Sequence, residues 1–206
     1  MALPKSSETA TRILQAASRR LATDGYARLN MRDVAAEAEV NHALIHYYFG
    51  SENRLVIAVL DEVHLERQKQ MNQTPENFAA KWAQARAFYE EDLASSFVRV
   101  QMELWAASLS NAALRETFLP RFMTWRRVIE DPVRDTLTHY QLDLLVSPKA
   151  LATWIVDFWL GMECEMLLGI PESQAHHQEA LDAMQRLLEQ FDQQASTRAA
   201  LSTTER

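Results

Sequence analysis

The sequence is short of the residues that turn a chain sharply, with only 4 glycines and 6 prolines in 206 residues. Sandwiches, barrels and doubly wound sheets depend on frequent tight turns that draw on those two residues. Their scarcity argues against such folds and points to an all-α protein. A single cysteine, Cys164, excludes an internal disulfide framework and any zinc site of the Cys-cluster type. It lies in GMECEM between Glu163 and Glu165, whose charges disfavour a thiolate, so it is expected to pack as a small apolar side chain and not to act as a nucleophile. No stretch approaches the ~20 consecutive apolar residues of a membrane span, and MALPKSSETATRIL lacks a signal-peptide core. The expectation is a soluble, cytoplasmic protein. There is no internal repeat, no phosphate-binding glycine loop, no nucleophile–base arrangement and no carboxylate pair of defined spacing, so an enzyme is not expected.

Positive charge is also in short supply. The net charge is −7, which by itself argues against a phosphate-rich partner. The distribution is uneven. Residues 1–55 carry Lys5, Arg12, Arg19, Arg20, Arg28, Arg32 and Arg54 against six acidic residues, a balance of +1 that leaves −8 for the rest. The two parts are therefore expected to do different work.

What the sequence has in quantity is helical periodicity, with hydrophobic residues at 48% and charged residues at 24%, as in ordinary globular domains. Ile13, Leu14, Ala17 and Leu21 recur on one face over 8–24, and Gly25 follows as a helix-ending glycine. Asn30 is placed to cap a two-turn helix carrying Val34, Ala35 and Ala38, and Asn41 to cap a second short helix through Leu44, Ile45 and Phe49. A further helix spans about 51–71, closed at Gln73-Thr74-Pro75. Segments follow at about 76–90, 93–110 and 111–139, where Pro120 and Pro132 are expected to interrupt the pattern. After a loop near 141–147, two longer helices cover about 148–168 and 172–194, and a polar tail starts at Ser196.

Two short helices joined by a tight turn over residues 30–49, NMRDVAAEAEVNHALIHYYF, form the layout of a helix-turn-helix. A helix can enter the major groove of DNA only if its outer side chains are free while its inner ones anchor it. Leu44, Ile45 and Phe49 are the anchors; His42, Ala43, His46 and Tyr47 lie on the free side. His42 and His46 also have the four-residue spacing of a two-histidine metal site, but neither the HExxH glutamate nor a third ligand accompanies them, so no metal or other cofactor is expected.

Residues 8–60, with ILQAASRRLATDGY, LNMRDVAAEAEV and NHALIHYYFGSENRL, resemble the N-terminal domain of the tetracycline-repressor (TetR) family of bacterial transcription regulators, most specifically in IHYYFGS followed by Leu55. The resemblance implies about nine helices, a DNA-binding domain at 1–50, a regulatory and dimerisation domain at 51–195 and a flexible tail at 196–206. It further implies a homodimer built on the last two long helices, a palindromic double-stranded operator, and release from it by a small-molecule effector. Carried over by position, Arg32, His42, Ala43, His46 and Tyr47 would face DNA, with Asn30, Asn41 and Tyr48 beside them near phosphates.

Two positions depart from the family pattern. Glu39 stands where a turn glycine is common, and a positive φ there would strain a glutamate by roughly 1–2 kcal/mol, so a remodelled turn is expected. Glu52 replaces the lysine usual at the start of the fourth helix, which weakens phosphate contact. These changes open an alternative: a helical ligand-binding or interaction protein of the same fold with weakened operator binding.

The remainder is rich in aromatic and methionine side chains. Most are expected in the core. Trp105, Phe122, Met123, Trp125, Phe158 and Met162 are the candidates for an effector pocket, with Glu103 or Arg126 as polar handles. Leu181, Met184, Leu187, Leu188 and Phe191 form one apolar stripe, and Trp154, Ile155, Phe158, Trp159 and Met162 another, as a helical dimer interface requires.

Overall fold

The computed structural model describes residues 8–95, 97–141 and 145–204. Among these residues there are helices and no strands, as the sparse turn residues imply. The order is α1 (Glu8–Asp24), a 3₁₀ turn (Tyr26–Arg28), α2 (Met31–Glu37), α3 (His42–Phe49), α4 (Glu52–Gln73), α5 (Phe78–Ala94), α6 (Phe97–Ser110), α7 (Ala112–Trp125), α8 (Arg127–His139), α9 (Pro148–Leu167), α10 (Glu172–Ala175) and α11 (His177–Thr204). Nine of them are eight residues or longer.

The chain divides into two compact units, one made of the residues up to Glu66 with Asp92–Trp125, the other of Arg67–Glu91 with the residues from Arg126 onward. In the first, the stripe Ile13, Leu14, Ala17 and Leu21 on α1 is buried against Val34 and Ala35 of α2 and Ile45 and Phe49 of α3. Leu104, Leu114, Phe118 and Trp125 from α6 and α7 join the same core. Full burial of one such side chain contributes about 1.5–3 kcal/mol. The boundary expected at residue 50 is a division by task, and these units are divisions by packing. Gly25 ends α1 with φ 77°, and its N–H donates to the Leu21 carbonyl at 3.0 Å. A Cβ there would lie 3.0 Å from Glu103 Oε2, so the site needs glycine for conformation and for space.

In the second unit, Met71, Trp82, Phe88, Tyr89, Trp159 and Leu181 form one cluster, and Val133, Leu137 and Ala152 another. Asn77 Oδ1 caps α5 locally by accepting the Ala80 N–H at 2.7 Å, and Asp192 on α11 accepts the N–H groups of Phe78 and Ala79 at 3.1 and 2.8 Å. Lys81, 7% exposed, closes the end of α4 by donating to the Met71 and Thr74 carbonyls at 2.7 and 2.9 Å and to Glu76 at 3.2 Å.

Several boundaries differ from expectation. Pro120 and Pro132 sit inside α7 and α8, and the break falls between them at Arg126. The final helix runs on through Ser196 to Thr204, where neither glycine nor proline stops it and Thr197 Oγ1 donates back to the Gln193 carbonyl at 2.8 Å. It is preceded by the short α10, because His176 takes a left-handed conformation with φ 54°. Cys164 is exposed and not at a packing surface.

Candidate nucleic-acid interface

The local geometry of α2 and α3 follows from their caps. Asn30 Oδ1 accepts the Arg32 N–H at 2.9 Å, and Asn41 Oδ1 accepts the Ala43 N–H at 2.8 Å. Each satisfies a backbone donor that a helix start leaves unpaired. At the other end of α3, Gly50 with φ 79° donates its N–H to the His46 carbonyl at 2.9 Å. Ile45 and Phe49 are buried at 1% and 5% exposure, and Leu44 packs half-buried on the same core. The helix is therefore fixed from below, which leaves its outer face to carry function.

That face holds most of the residues singled out in the sequence. Arg32, Ala43, His46 and Tyr47 are exposed, Tyr47 at 79%, while His42 and Tyr48 are half-buried. The His42 and His46 rings meet edge to face at 4.9 Å, and those of Tyr47 and Tyr48 at 5.1 Å. The two tyrosine rings thus support each other, Tyr48 also packing against the core. Asn30 and Asn41 are exposed as well, with their Oδ1 atoms committed to the caps.

Glu39 adopts φ 51°, the left-handed conformation that its place in the turn demands. The turn is not remodelled around it. Instead Arg12 of α1 reaches across, its Nη2 donating to the Ala38 carbonyl at 2.5 Å and the Glu39 carbonyl at 3.2 Å, with Glu39 Oε2 at 3.4 Å. A charge-assisted bond of this kind contributes about 1.5–3 kcal/mol, enough to offset the strain of one non-glycine left-handed residue. No sequence pattern marks Arg12 for this role.

The remaining arginines of α1 are also engaged within the domain. Arg19 pairs with Glu37 at 2.6 Å, and Arg20 with Asp24 at 2.6 Å and with Asp33 at 3.6 Å. Arg32, by contrast, points its guanidinium to solvent with no protein partner among the described residues. The small positive balance of this region is therefore less informative than the position of one arginine. At the start of α4, burial raises the pKa of Glu52 above the ordinary glutamate value. Tyr26 is raised too, first by burial and then by the Glu52 charge, and its hydroxyl donates to Asn53 Oδ1 at 2.9 Å. Asn53 thus holds the 3₁₀ turn that follows α1.

Residues 13–59 match the family of bacterial regulatory proteins known as tetR. An HTH-type transcriptional regulator encoded in the dhlA 5′ region of Xanthobacter autotrophicus is 32% identical over 155 residues, covering 72% of this chain and 73% of that protein. The chain belongs to the TetR family. The HTH-type transcriptional repressor Rv3405c of Mycobacterium tuberculosis is 46% identical over 56 residues, 27% of this chain and 30% of its own length. The chain thus spans less than a third of that relative. The structure of FadR from Bacillus subtilis, solved in complex with stearoyl-CoA, superimposes with a TM-score of 0.62 at 14% identity, over 86% of this chain and 96% of that one. The TetR fold therefore extends well beyond the matched N-terminal residues.

The second unit contains a cavity of about 260 Å³ walled by α4, α5, α8, α9 and α11. None of the six residues expected to form a pocket lines it. The Trp105 and Phe122 rings meet at a tilt with centroids 5.3 Å apart, and both pack on the core of the first unit. Trp125 is buried there, its Nε1 donating to Asp61 Oδ1 at 2.8 Å. Met123 is 54% exposed. Phe158 faces outward, and Met162 lies in the cluster around Trp159. The expected polar handles are occupied elsewhere: Glu103 accepts the Tyr26 N–H at 2.6 Å, and Arg126 donates to Thr153 Oγ1 at 3.1 Å.

The discrepancy has a physical cause. The lining comes from five helices far apart in the chain and mixes large side chains, Phe78, Trp82 and Phe191, with small ones such as Ala85 and Val133, so side-chain bulk alone does not mark it. The two stripes assigned to dimerisation also divide. Leu181, Trp159 and Met162 are buried within the unit, while Trp154 at 59%, Leu187 at 59%, Met184 at 38% and Phe158 at 37% remain exposed. No helix among the described residues is long and apolar enough to cross a membrane.

Proposed function

We propose that the protein is a homodimeric, DNA-binding transcriptional repressor of the cytoplasm, released from a palindromic operator by a small-molecule effector and performing no catalysis. The observation behind this reading is the anchored α3 helix with an open outer face, Tyr47 79% exposed above a buried Ile45 and Phe49. Residues 1–50 act as the DNA-binding domain and 51–195 as the regulatory one. Arg32 reads a base edge, since a guanidinium can bond guanine in bidentate fashion. His42, Ala43 and His46 form the rest of the base-facing surface. Tyr47 and Tyr48 donate to phosphates, and the Asn30 and Asn41 amide groups, whose oxygens serve the caps, offer N–H donors to the backbone.

Dimerisation through α9 and α11 is supported by Trp154 and Leu187, each 59% exposed in one chain, with Phe158 and Met184 partly exposed beside them. Gly161 lies on α9 with open space around it and admits a close helix approach. Paired α3 helices about 34–36 Å apart would then read successive major grooves. The apolar cavity of the second unit supports an effector, and the acyl-CoA complex of FadR illustrates that this fold accommodates one. Footprinting on the DNA flanking the protein's own gene tests the reading. A protected, roughly two-fold symmetric site is expected, and uniform, sequence-independent binding at low salt overturns it.

A further inference from the structure

A duplex seated on α3 brings its phosphates against whatever flanks that helix, and assigning a residue to them rests on the DNA-binding reading. Few cations are at hand. Residues 8–60 contain no lysine, so every permanent positive charge there is an arginine. Arg12 clamps the Glu39 turn, Arg19 pairs with Glu37, and Arg20 with Asp24 and Asp33. Arg28 donates to the Asp24 carbonyl at 3.2 Å. Arg32 and Arg54 are left, both exposed and neither with an ion-pair partner among the described residues.

Arg54 stands in the first turn of α4, where Ser51 Oγ accepts its backbone N–H at 3.3 Å. Its side chain lies back over Gly50, with Nη1 3.4 Å and Cδ 3.8 Å from the position that a Cβ on that glycine would take. His46, on the outer face of α3, approaches the same residue, its Nδ1 3.4 Å from the Gly50 carbonyl oxygen. The Arg54 guanidinium and the His46 ring thus meet one exposed glycine at the C-terminal end of α3. The two residues before Arg54 turn the other way. Glu52 and Asn53 are half-buried beside Tyr26, whose hydroxyl Asn53 accepts at 2.9 Å. Arg54 is therefore the exposed group of that turn.

We propose that Arg54 is a phosphate contact: with α3 in the major groove, its guanidinium bonds a backbone phosphate flanking the bases that α3 faces. A planar guanidinium matches the oxygens of a phosphodiester, and such a contact adds affinity without sequence preference. Arg32 and Arg54 then divide the work, one reading a base edge and the other holding the backbone.

Salt titrations test the assignment. Binding of the full chain to a duplex of randomised sequence is followed by fluorescence anisotropy between about 50 and 200 mM salt, a range over which counterion release weakens phosphate contacts. Arg54→Gln keeps the stem over Gly50 and removes the charge. It is expected to make the slope of log affinity against log salt shallower by about 0.9, so that its deficit against the parent chain is about 3.5-fold larger at the low end of the range than at the high end. Arg54→Lys keeps a cation and should hold the parent slope. Lys149→Ala removes one exposed charge from the second unit and should leave the slope unchanged. A slope unaltered by Arg54→Gln, or lowered as much by Lys149→Ala, overturns the assignment. So does a change of preferred base when Arg54→Gln selects duplexes from a random pool. If the parent chain binds randomised duplex but enriches no motif, the operator reading falls and the slopes still decide the role of Arg54. Absence of duplex binding at the lowest salt overturns both.

Discussion

The surface of α2 and α3 and the cavity of the second unit are opposite kinds of feature. The first is a thin layer of polar and aromatic side chains held out from a tight core by two asparagine caps and a glycine stop. The second is a space made by what the side chains do not reach. An outward face advertises itself through periodicity, because every third or fourth residue must be apolar and those between are free to vary. A cavity depends on residues from helices far apart in the chain, and no local pattern records which helices will face one another.

The largest effects should separate the two cores. Leu181→Ala and Ile45→Ala each remove a fully buried side chain, one from each unit, and each is expected to lower stability by about 2–5 kcal/mol in chemical denaturation. If the units are distinct packing blocks, Leu181→Ala should leave hydrogen-exchange protection in α1 to α3 largely unchanged. Equal loss of protection in both units would show them to be one cooperative block.

A smaller effect concerns the turn. Replacing Glu39, at φ 51°, with glycine relieves backbone strain and should raise stability by about 1 kcal/mol, and more in an Arg12→Ala background where the clamp is gone. A loss of stability would mean that the Arg12–Glu39 pair outweighs the strain. On the outer face, Tyr47→Phe removes a single hydroxyl and should weaken DNA binding by about 0.5–1.5 kcal/mol in gel-shift titrations, with the melting temperature unchanged. Unaltered affinity takes Tyr47 off the contact surface.

The subtlest prediction is a pH dependence. Burial raises the Glu52 pKa, so the folded state favours the protonated carboxyl. That relative stabilisation is complete below the unfolded value and is lost as the pH rises through the folded one. Glu52→Gln should therefore gain stability over the parent chain as the pH rises from about 4 to 7. A difference that is constant across that range would show the carboxylate to be fully solvated.

The all-α class, the α1 stripe, both asparagine caps and the free side of α3 were legible because each is set by residues a few positions apart. The strain of a positive φ at Glu39 was legible for the same reason, but the expected remodelling of the turn does not occur, since Arg12, 27 residues away, holds it. The same holds for Asp192, which caps α5 from more than a hundred residues downstream. The cavity of the second unit was illegible for the strongest version of this reason: Trp105 and Trp125 pack in the first unit's core, and the space is lined by residues of five helices spread from Met71 to Phe191.

Whether the outer face of α3 reads duplex sequence is decided by selecting bound duplexes from a random pool with the purified protein. Enrichment of an inverted repeat is expected, with the half-site preference relaxed at one base pair by Arg32→Ala. A pool that remains random after repeated rounds at low salt, or a motif indifferent to Arg32, His46 and Tyr47 alike, would refute that role for the helix.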